Sequence, residues 1–332
     1  MRARIEDVAN AAGVSTATVS LVLRDRPGPS AATREHVRAI ATQLGYRPDR
    51  AASALARHRS HLVGVLLDIT SSFHAELVVA LDAASAAYGL ELVLSSVTPR
   101  RDEQSAVETL LDFRCEGVLL LGPGMPDSEL RELGSRCPSV VIGRAGTGSV
   151  PGVRAGDEQG MGAAVDHLTA LGHRRIAYVD GPRGSIATAR RGGYRRAMIR
   201  HGLRDLLDIR PGGQTEEAGA RAGSALLELD LAQRPTAVLC FNDRVALGLR
   251  DSLLRAGVAV PEQLSLIGYD DSAPARLGTV DLSSVSQDPD HLAGAALALL
   301  AGRLDGAEQT APGRDVVISP RLVARSSTAP PR

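Results

Sequence analysis

Ile5-Glu6-Asp7-Val8-Ala9-Asn10-Ala11-Ala12-Gly13-Val14-Ser15-Thr16-Ala17-Thr18-Val19-Ser20-Leu21-Val22-Leu23 reads as two short helices and the turn between them. Ile5, Val8, Ala9 and Ala12 stand at i, i+3, i+4 and i+7, which is one apolar helical face. Gly13 stops that helix, because glycine enters the left-handed region without steric cost. Ser15 is placed as the N-cap of a second helix, Thr16 to about Leu23, with Val19, Val22 and Leu23 as its buried side. Arg24-Asp25-Arg26-Pro27-Gly28-Pro29 cannot continue a helix. A third helix is expected from about Ala31 to Leu44, turning Val37, Ile40, Ala41 and Leu44 inward, with Gly45 ending it.

Two helices joined by a tight glycine-containing turn, with a third behind them, is the helix-turn-helix layout. On that geometry Thr16, Ala17 and Leu21 face a DNA groove, whereas Thr18 and Ser20 lie along the phosphates. Short and apolar groove residues predict methyl contacts with thymine and few bidentate base readings. The charge distribution fits. The chain is neutral overall, with 38 basic and 38 acidic residues, yet residues 1–60 carry ten Arg against five acids. A basic module on an acidic body suits a nucleic-acid reader; a basic solvated surface would produce the same asymmetry.

From residue 61 the rhythm becomes strand, helix, strand. Leu62-Val63-Gly64-Val65-Leu66-Leu67-Asp68 is a near-continuous apolar run, as for a strand buried on both faces of a parallel sheet. Leu90–Ser95, Gly117–Leu121 and Ser139–Ile142 repeat it, with helical stretches at Ala75–Tyr88 and Gln104–Arg114. Ile176–Asp180, Ala237–Cys240 and Leu264–Tyr269 form a second series. Seven such strands alternating with helices predict an α/β body of two doubly wound parallel-sheet lobes, whose ligands sit at the carboxyl ends of the strands.

Composition removes several alternatives. At 332 residues, 44% hydrophobic and 23% charged, the chain is neither collagenous nor disordered, and it has no apolar run near the ~18 residues of a membrane span. Arg2, Arg4, Glu6 and Asp7 follow Met1 with no apolar stretch behind them, unlike a secretory signal. Cys115, Cys137 and Cys240 form no Cys-x-x-Cys pair, which argues against disulfides or structural zinc and fits a reducing cytoplasm. Every basic residue is Arg, so a P-loop lysine and a Schiff base are excluded. Gly122-Pro123-Gly124 lacks the third glycine of a dinucleotide loop, and Gly143 to Gly148 runs into Ser-Val-Pro-Gly rather than a helix. There is no Gly-x-Ser-x-Gly elbow and no His-Glu-x-x-His. His167 and His173, six apart, read as structural or surface histidines. No catalytic, cofactor or metal constellation is expected.

Ile5-Glu6-Asp7-Val8-Ala9, Ala12-Gly13-Val14-Ser15-Thr16-Ala17-Thr18-Val19-Ser20, Thr33-Arg34-x-x-Val37 and Leu44-Gly45-Tyr46-Arg47-Pro48, in this order, resemble the DNA-binding head of the lactose-repressor (LacI/GalR) family. Arg4 departs from that pattern, which usually has a capping Thr or Ser there. The body carries similar landmarks: His167-Leu168-x-x-Leu171-Gly172-His173-Arg174-Arg175-Ile176, Asp180-Gly181-Pro182, Arg190-x-x-Gly193-Tyr194, Asn242-Asp243-x-x-Ala246-x-Gly248 and Leu266-Ile267-Gly268-Tyr269-Asp270-Asp271. The resemblance spans about residues 3 to 328. It implies a head at 1–46, a hinge at 47–60, and an effector-binding and dimerisation body at 61–328. The body's lobes would cover roughly 61–155 and 156–285, with the C-terminal part returning between them. The body would resemble the periplasmic sugar-binding proteins.

The resemblance also implies roles for particular residues. In the family the hinge orders on operator DNA and wedges a Leu into the minor groove, which here is Leu55; a plain linker whose Leu packs on the body is the alternative. Tyr46, Arg47, Arg50 and Arg57 would support the head and meet phosphates. Positions matching the family's effector contacts are Phe73, His74, Arg190, Asn242 and Asp270, with Gln214 nearby. Arg190 brings a rigid donor fork and Asp270 an acceptor pair, which suit the vicinal hydroxyls of a sugar or sugar derivative. Arg190 could equally pair with a neighbouring acid, Asp270 could cap a helix, and Phe73 could be core. Arg144 stands where many relatives have an Asp or an aromatic, so a phosphorylated or acidic ligand is the alternative.

The expected whole is a cytoplasmic, non-membrane homodimer, nucleoid-associated when bound to pseudo-palindromic operator DNA. A pure small-molecule receptor and an oxidoreductase are the competing classes; the basic head speaks against the first and the missing cofactor loop against the second.

Overall fold

A computed structural model of the chain describes residues 3–23, 25–46, 59–306 and 315–332. The chain divides into two units, Met1–Ser60 and His61–Arg332. In the first, α1 (Ile5–Ala12), α2 (Thr16–Leu23) and α3 (Ala31–Gln43) enclose Val8, Ala9, Ala12, Val19, Val22, Val37 and Ala41, with Ile40 and Leu23 packed at the margin. Gly13 caps α1 at φ +64°, and its N–H returns to Ala9 and Asn10. Arg4 contributes no side-chain oxygen to the α1 cap; instead the Asp7 carboxylate accepts from the Arg4 amide at 2.7 Å. Leu44, expected inward, is 40% exposed, because α3 ends at Gln43 and Leu44 already belongs to the turn before Gly45.

The second unit holds two six-stranded sheets. β1 (Leu62–Asp68), β2 (Glu91–Val97), β3 (Gly117–Leu121), β4 (Ser139–Ile142) and β5 (Gly152–Ala155) lie in the order β2-β1-β3-β4-β5, all parallel. β6 (Ile176–Val179), β7 (Asp208–Arg210), β8 (Ala237–Cys240), β9 (Ser265–Asp270) and β10 (Ser283–Ser286) repeat that order as β7-β6-β8-β9-β10. This is one of the common doubly wound arrangements, and the chain builds it twice. β11 (Val316–Ile318) then extends the first sheet beside β5, and β12 (Arg321–Val323) joins the second antiparallel to β10.

The apolar-run criterion found seven of these strands. β10 escapes it because it reads Ser-Ser-Val-Ser, although all four residues are buried. Its hydroxyls find internal partners: Ser283 Oγ donates to the Arg325 carbonyl and Ser284 Oγ to Asp243. The other missed strands are three or four residues long, with a charged residue or glycine in most of them.

Helices α4 (Ser72–Ser85), α5 (Glu103–Asp112) and α6 (Asp127–Arg136) cover the first sheet, together with the returning α11 (Pro289–Leu304). Leu292, Leu297 and Leu300 of α11 pack with Val63, Val65 and Leu119, so a late segment completes an early core. Helices α7 (Asp157–Ala170), α8 (Ser185–Arg200), α9 (Glu216–Leu227) and α10 (Asp243–Arg255) cover the second sheet. The chain passes between lobes three times: at Gly156, at Gln287–Asp288, and between β11 and β12.

Candidate functional site

In the head, Ser15 Oγ accepts from the Thr18 amide at 3.1 Å, fixing the start of α2, and lies 3.0 Å from Thr18 Oγ1. Thr16, Ala17 and Leu21 are exposed on one side of α2, while Thr18 and Ser20 are half-buried beside the core. Tyr46 is half-buried against the head's core, and its amide donates to Ala41 at 2.8 Å. Arg47, Arg50, Leu55 and Arg57 lie outside the described residues.

In the body a cavity of about 290 Å³ opens at the carboxyl ends of the strands, between the two sheets. Phe73, His74, Arg190, Gln214, Asn242 and Asp270 all line it. Phe73 does both things expected of it: it is buried in the core of the first lobe and also faces the cavity. Ser71 caps α4 by accepting from the His74 amide, which sets His74 one turn beyond the end of β1. His74 Nδ1 accepts from the Asp68 amide at 3.0 Å. A ring nitrogen that accepts carries no proton, so Nε2 is the N–H donor, and it lies near Gly122 on the cavity wall. Burial pushes this imidazole down to about 4 against the opposing pull of Asp68, so it stays neutral.

Arg190 is buried on α8. Its Nε donates to Asp157 at 2.8 Å and its Nη1 donates to the Phe241 carbonyl at 2.5 Å. The guanidinium stacks 3.6 Å from the Tyr269 ring centroid and 4.8 Å from that of Phe241. Burial opposes its charge, but Asp157, with Tyr269 and Asp270, holds its proton affinity above the ordinary value. Pairing with a neighbouring acid and facing the cleft are therefore both true of Arg190. Asp270, the last residue of β9, caps no helix: its Oδ1 accepts from Gln287 Nε2 at 2.7 Å. Burial pushes its carboxyl up; Arg190 opposes this and the nearby Asp243 adds to it. Asn242 caps α10 through Val245 at 2.9 Å and donates to the Gln214 carbonyl at 3.2 Å, so its amide is already engaged on both sides. Gln214 is exposed on the rim.

Arg144 is a correction. It is absent from the cavity wall, and its guanidinium turns to Asp127 at 2.5 Å and to the carbonyls of Pro123 and Met125. A half-buried cation finds its own carboxylate in preference to open solvent.

Sequence reasoning missed Asp68, Glu103, Phe241, Arg244 and Gln287, which also face the cavity. Asp68, Phe241 and Gln287 end or directly follow strands β1, β8 and β10, so the carboxyl-end rule could have found them. Arg244 is held by Glu216 at 2.9 and 2.6 Å and reaches Thr70 of the other lobe at 3.1 Å. Glu76 and Arg276 make a second interlobe contact at 2.9 Å.

Residues 4–49 match the model for bacterial regulatory proteins of the lacI family, and residues 165–328 match the periplasmic binding protein-like domain. Catabolite control protein A of Priestia megaterium is 31% identical, over 99% of this chain and all of its own length. The chain belongs to the lacI family of bacterial regulatory proteins.

The HTH-type transcriptional repressor CytR of Escherichia coli is 32% identical, over 98% of this chain and 96% of its own. Among solved structures, a LacI transcriptional regulator from a Rhodococcus species is 41% identical with a TM-score of 0.77, covering 81% of this chain and 98% of that one. A lac repressor dimer bound to operator and the anti-inducer ONPF has a TM-score of 0.83 at 27% identity, over 99% of this chain and 100% of the other. The transcriptional regulator CelR in complex with cellobiose gives 0.69 at 29%, over 98% and 100%. The lacI-family fold, a helix-turn-helix head and two periplasmic-binding-protein-like lobes, extends across this chain. No described helix is long and apolar enough to cross a membrane.

Proposed function

We propose that the chain is a repressor that binds a pseudo-palindromic operator as a homodimer and responds to a sugar or sugar derivative held between the lobes of its body. The observation that carries this reading is the pairing of a capped α2, with Thr16, Ala17 and Leu21 exposed, with a cleft in which Arg190 and Asp270 face one ligand space. The similar lac repressor dimer bound to operator and the CelR complex with cellobiose support both halves.

In this reading Thr16, Ala17 and Leu21 meet the major groove; Ser15, Thr18, Ser20, Tyr46, Arg47, Arg50 and Arg57 meet or support the backbone; and Leu55 wedges into the minor groove. Phe73, His74, Gln214, Arg190, Asn242 and Asp270 form the effector site, with Asp68 and Gln287 beside them. Effector binding changes operator affinity by favouring one arrangement of the lobes over the other. The protein acts as a cytoplasmic regulator rather than an enzyme or an exported receptor. Deleting residues 1–60 tests this: sugar binding by the remaining body should survive while all binding to DNA disappears. Retained operator binding would refute the assignment of the head.

A further inference from the structure

We infer that Glu103 on the cleft wall and Asp127, which holds Arg144 outside it, act as resident anions, so that the cleft takes an uncharged polyhydroxylated ligand and turns away phosphorylated and acidic ones. This inference rests on the effector role proposed for the cleft.

A phosphate or carboxylate ligand needs an uncommitted guanidinium or a set of backbone N–H groups. Around this cleft Arg190, Arg244 and the amides of the loop after β3 each already hold a carboxylate of the chain, as does Arg144 outside it. The loop after β3 aims two amides at one point, and Glu103 occupies it: Gly124 and Met125 donate to its two oxygens at 2.7 Å each. Arg144, which follows β4 at the same end of the sheet, is held by Asp127. In the second lobe Arg190 is matched by Asp157, and Arg244 by both oxygens of Glu216. His74 is neutral and adds no charge.

The cavity is therefore rich in acceptors. Asp68 accepts from Thr70 through Oδ1, and Asp270 accepts from Gln287 through Oδ1. The second oxygen of each has no hydrogen bond among the described residues, and the two carboxylates come from opposite lobes. Hydroxyl groups pair with such carboxyl oxygens, whereas a ligand anion would be repelled by the Asp68 carboxylate.

The test is calorimetric titration of the full chain with matched pairs: ribose and ribose 5-phosphate, glucose and glucose 6-phosphate, galactose and galactose 6-phosphate, with glucuronate added. For any pair that binds, the uncharged member should be tighter by at least about tenfold, or ~1.4 kcal/mol. In Glu103→Gln combined with Asp127→Asn that gap should narrow severalfold, while a thermal melt confirms folding. A phosphate that binds as tightly as its parent sugar, and is lost in Asp270→Ala, overturns the inference and leaves the cleft reading intact. An unchanged gap in the folded double variant also overturns it. Sugar binding that survives Asp270→Ala, or no binding by any member, overturns the cleft reading and this inference with it.

Discussion

Arg190 and Asp157 form an ion pair at 2.8 Å in which each side chain is only 5% exposed, and Asp157 is the first residue after the Gly156 crossover between the lobes. A hydrogen bond from Arg190 to an effector would thus act on a side chain already tied to a segment that joins the lobes. Asp270 is placed in the same way, through Gln287 in the second crossover. The two residues proposed to read the ligand each hold a crossover residue.

Arg190→Ala should therefore damage two properties together. It leaves Asp157 buried without its partner, which costs about 3–5 kcal/mol, and it abolishes effector response on DNA. Urea denaturation and an operator titration with and without sugar measure the two. Unchanged stability would mean that Asp157 is solvated in a way its burial contradicts.

Ser15→Ala removes the cap of α2 and should cost about 1 kcal/mol of head stability. Amide exchange across Thr16–Leu23 should accelerate, while exchange in the body stays the same. An unchanged exchange rate would show that Ser15 does not hold the start of α2.

His173 accepts or donates through both ring nitrogens, contacting Thr236, Ser265 and the Ala329 carbonyl, and so pins the C-terminal tail to the second lobe. Burial holds its pKa below the usual 6.5, partly offset by Ala329. The folded state thus prefers the neutral ring. Its contribution is complete above pH 6.5 and falls away as the pH drops through the lowered folded pKa. The stability difference between wild type and His173→Gln should be largest near pH 7.5 and shrink toward pH 5. A difference that grows on acidification would contradict this.

Gly248 on α10 lies against α9, where an added Cβ would fall on the Glu216 carbonyl oxygen. Gly248→Ala must separate the two helices and should destabilise the body by about 2–3 kcal/mol, read as a lower denaturation midpoint. A variant as stable as wild type would show that this helix contact yields freely.

These residues show what was legible in the sequence. The head was readable because its signals are local: an apolar face at helical spacing, a glycine at positive φ and a serine cap. The motif Asn242-Asp243-x-x-Ala246-x-Gly248 marked a place but not its reason, which is partly capping and partly close packing of two helices. Arg144 was misread because its partner Asp127 lies 17 positions away, on a helix whose approach to β4 no local pattern announces. β10 was missed because its buried serines are satisfied by residues as distant as Arg325. Local spacing reveals elements; the pairing of charges and hydroxyls is settled only when distant segments meet.

Leu55→Ala should lower affinity for the selected operator far more than for random DNA, since a wedge acts only where the duplex is kinked at its site. Equal losses on both DNAs in a competition titration would remove Leu55 from that role.

The most direct measurement is selection of randomised duplex DNA by the full-length protein at moderate salt, with and without a pool of sugars. A regulator of this kind enriches a pseudo-palindrome whose half-sites are about one helical turn apart, and the sugar that changes the enrichment identifies the effector. Failure to enrich any sequence under either condition would contradict the account.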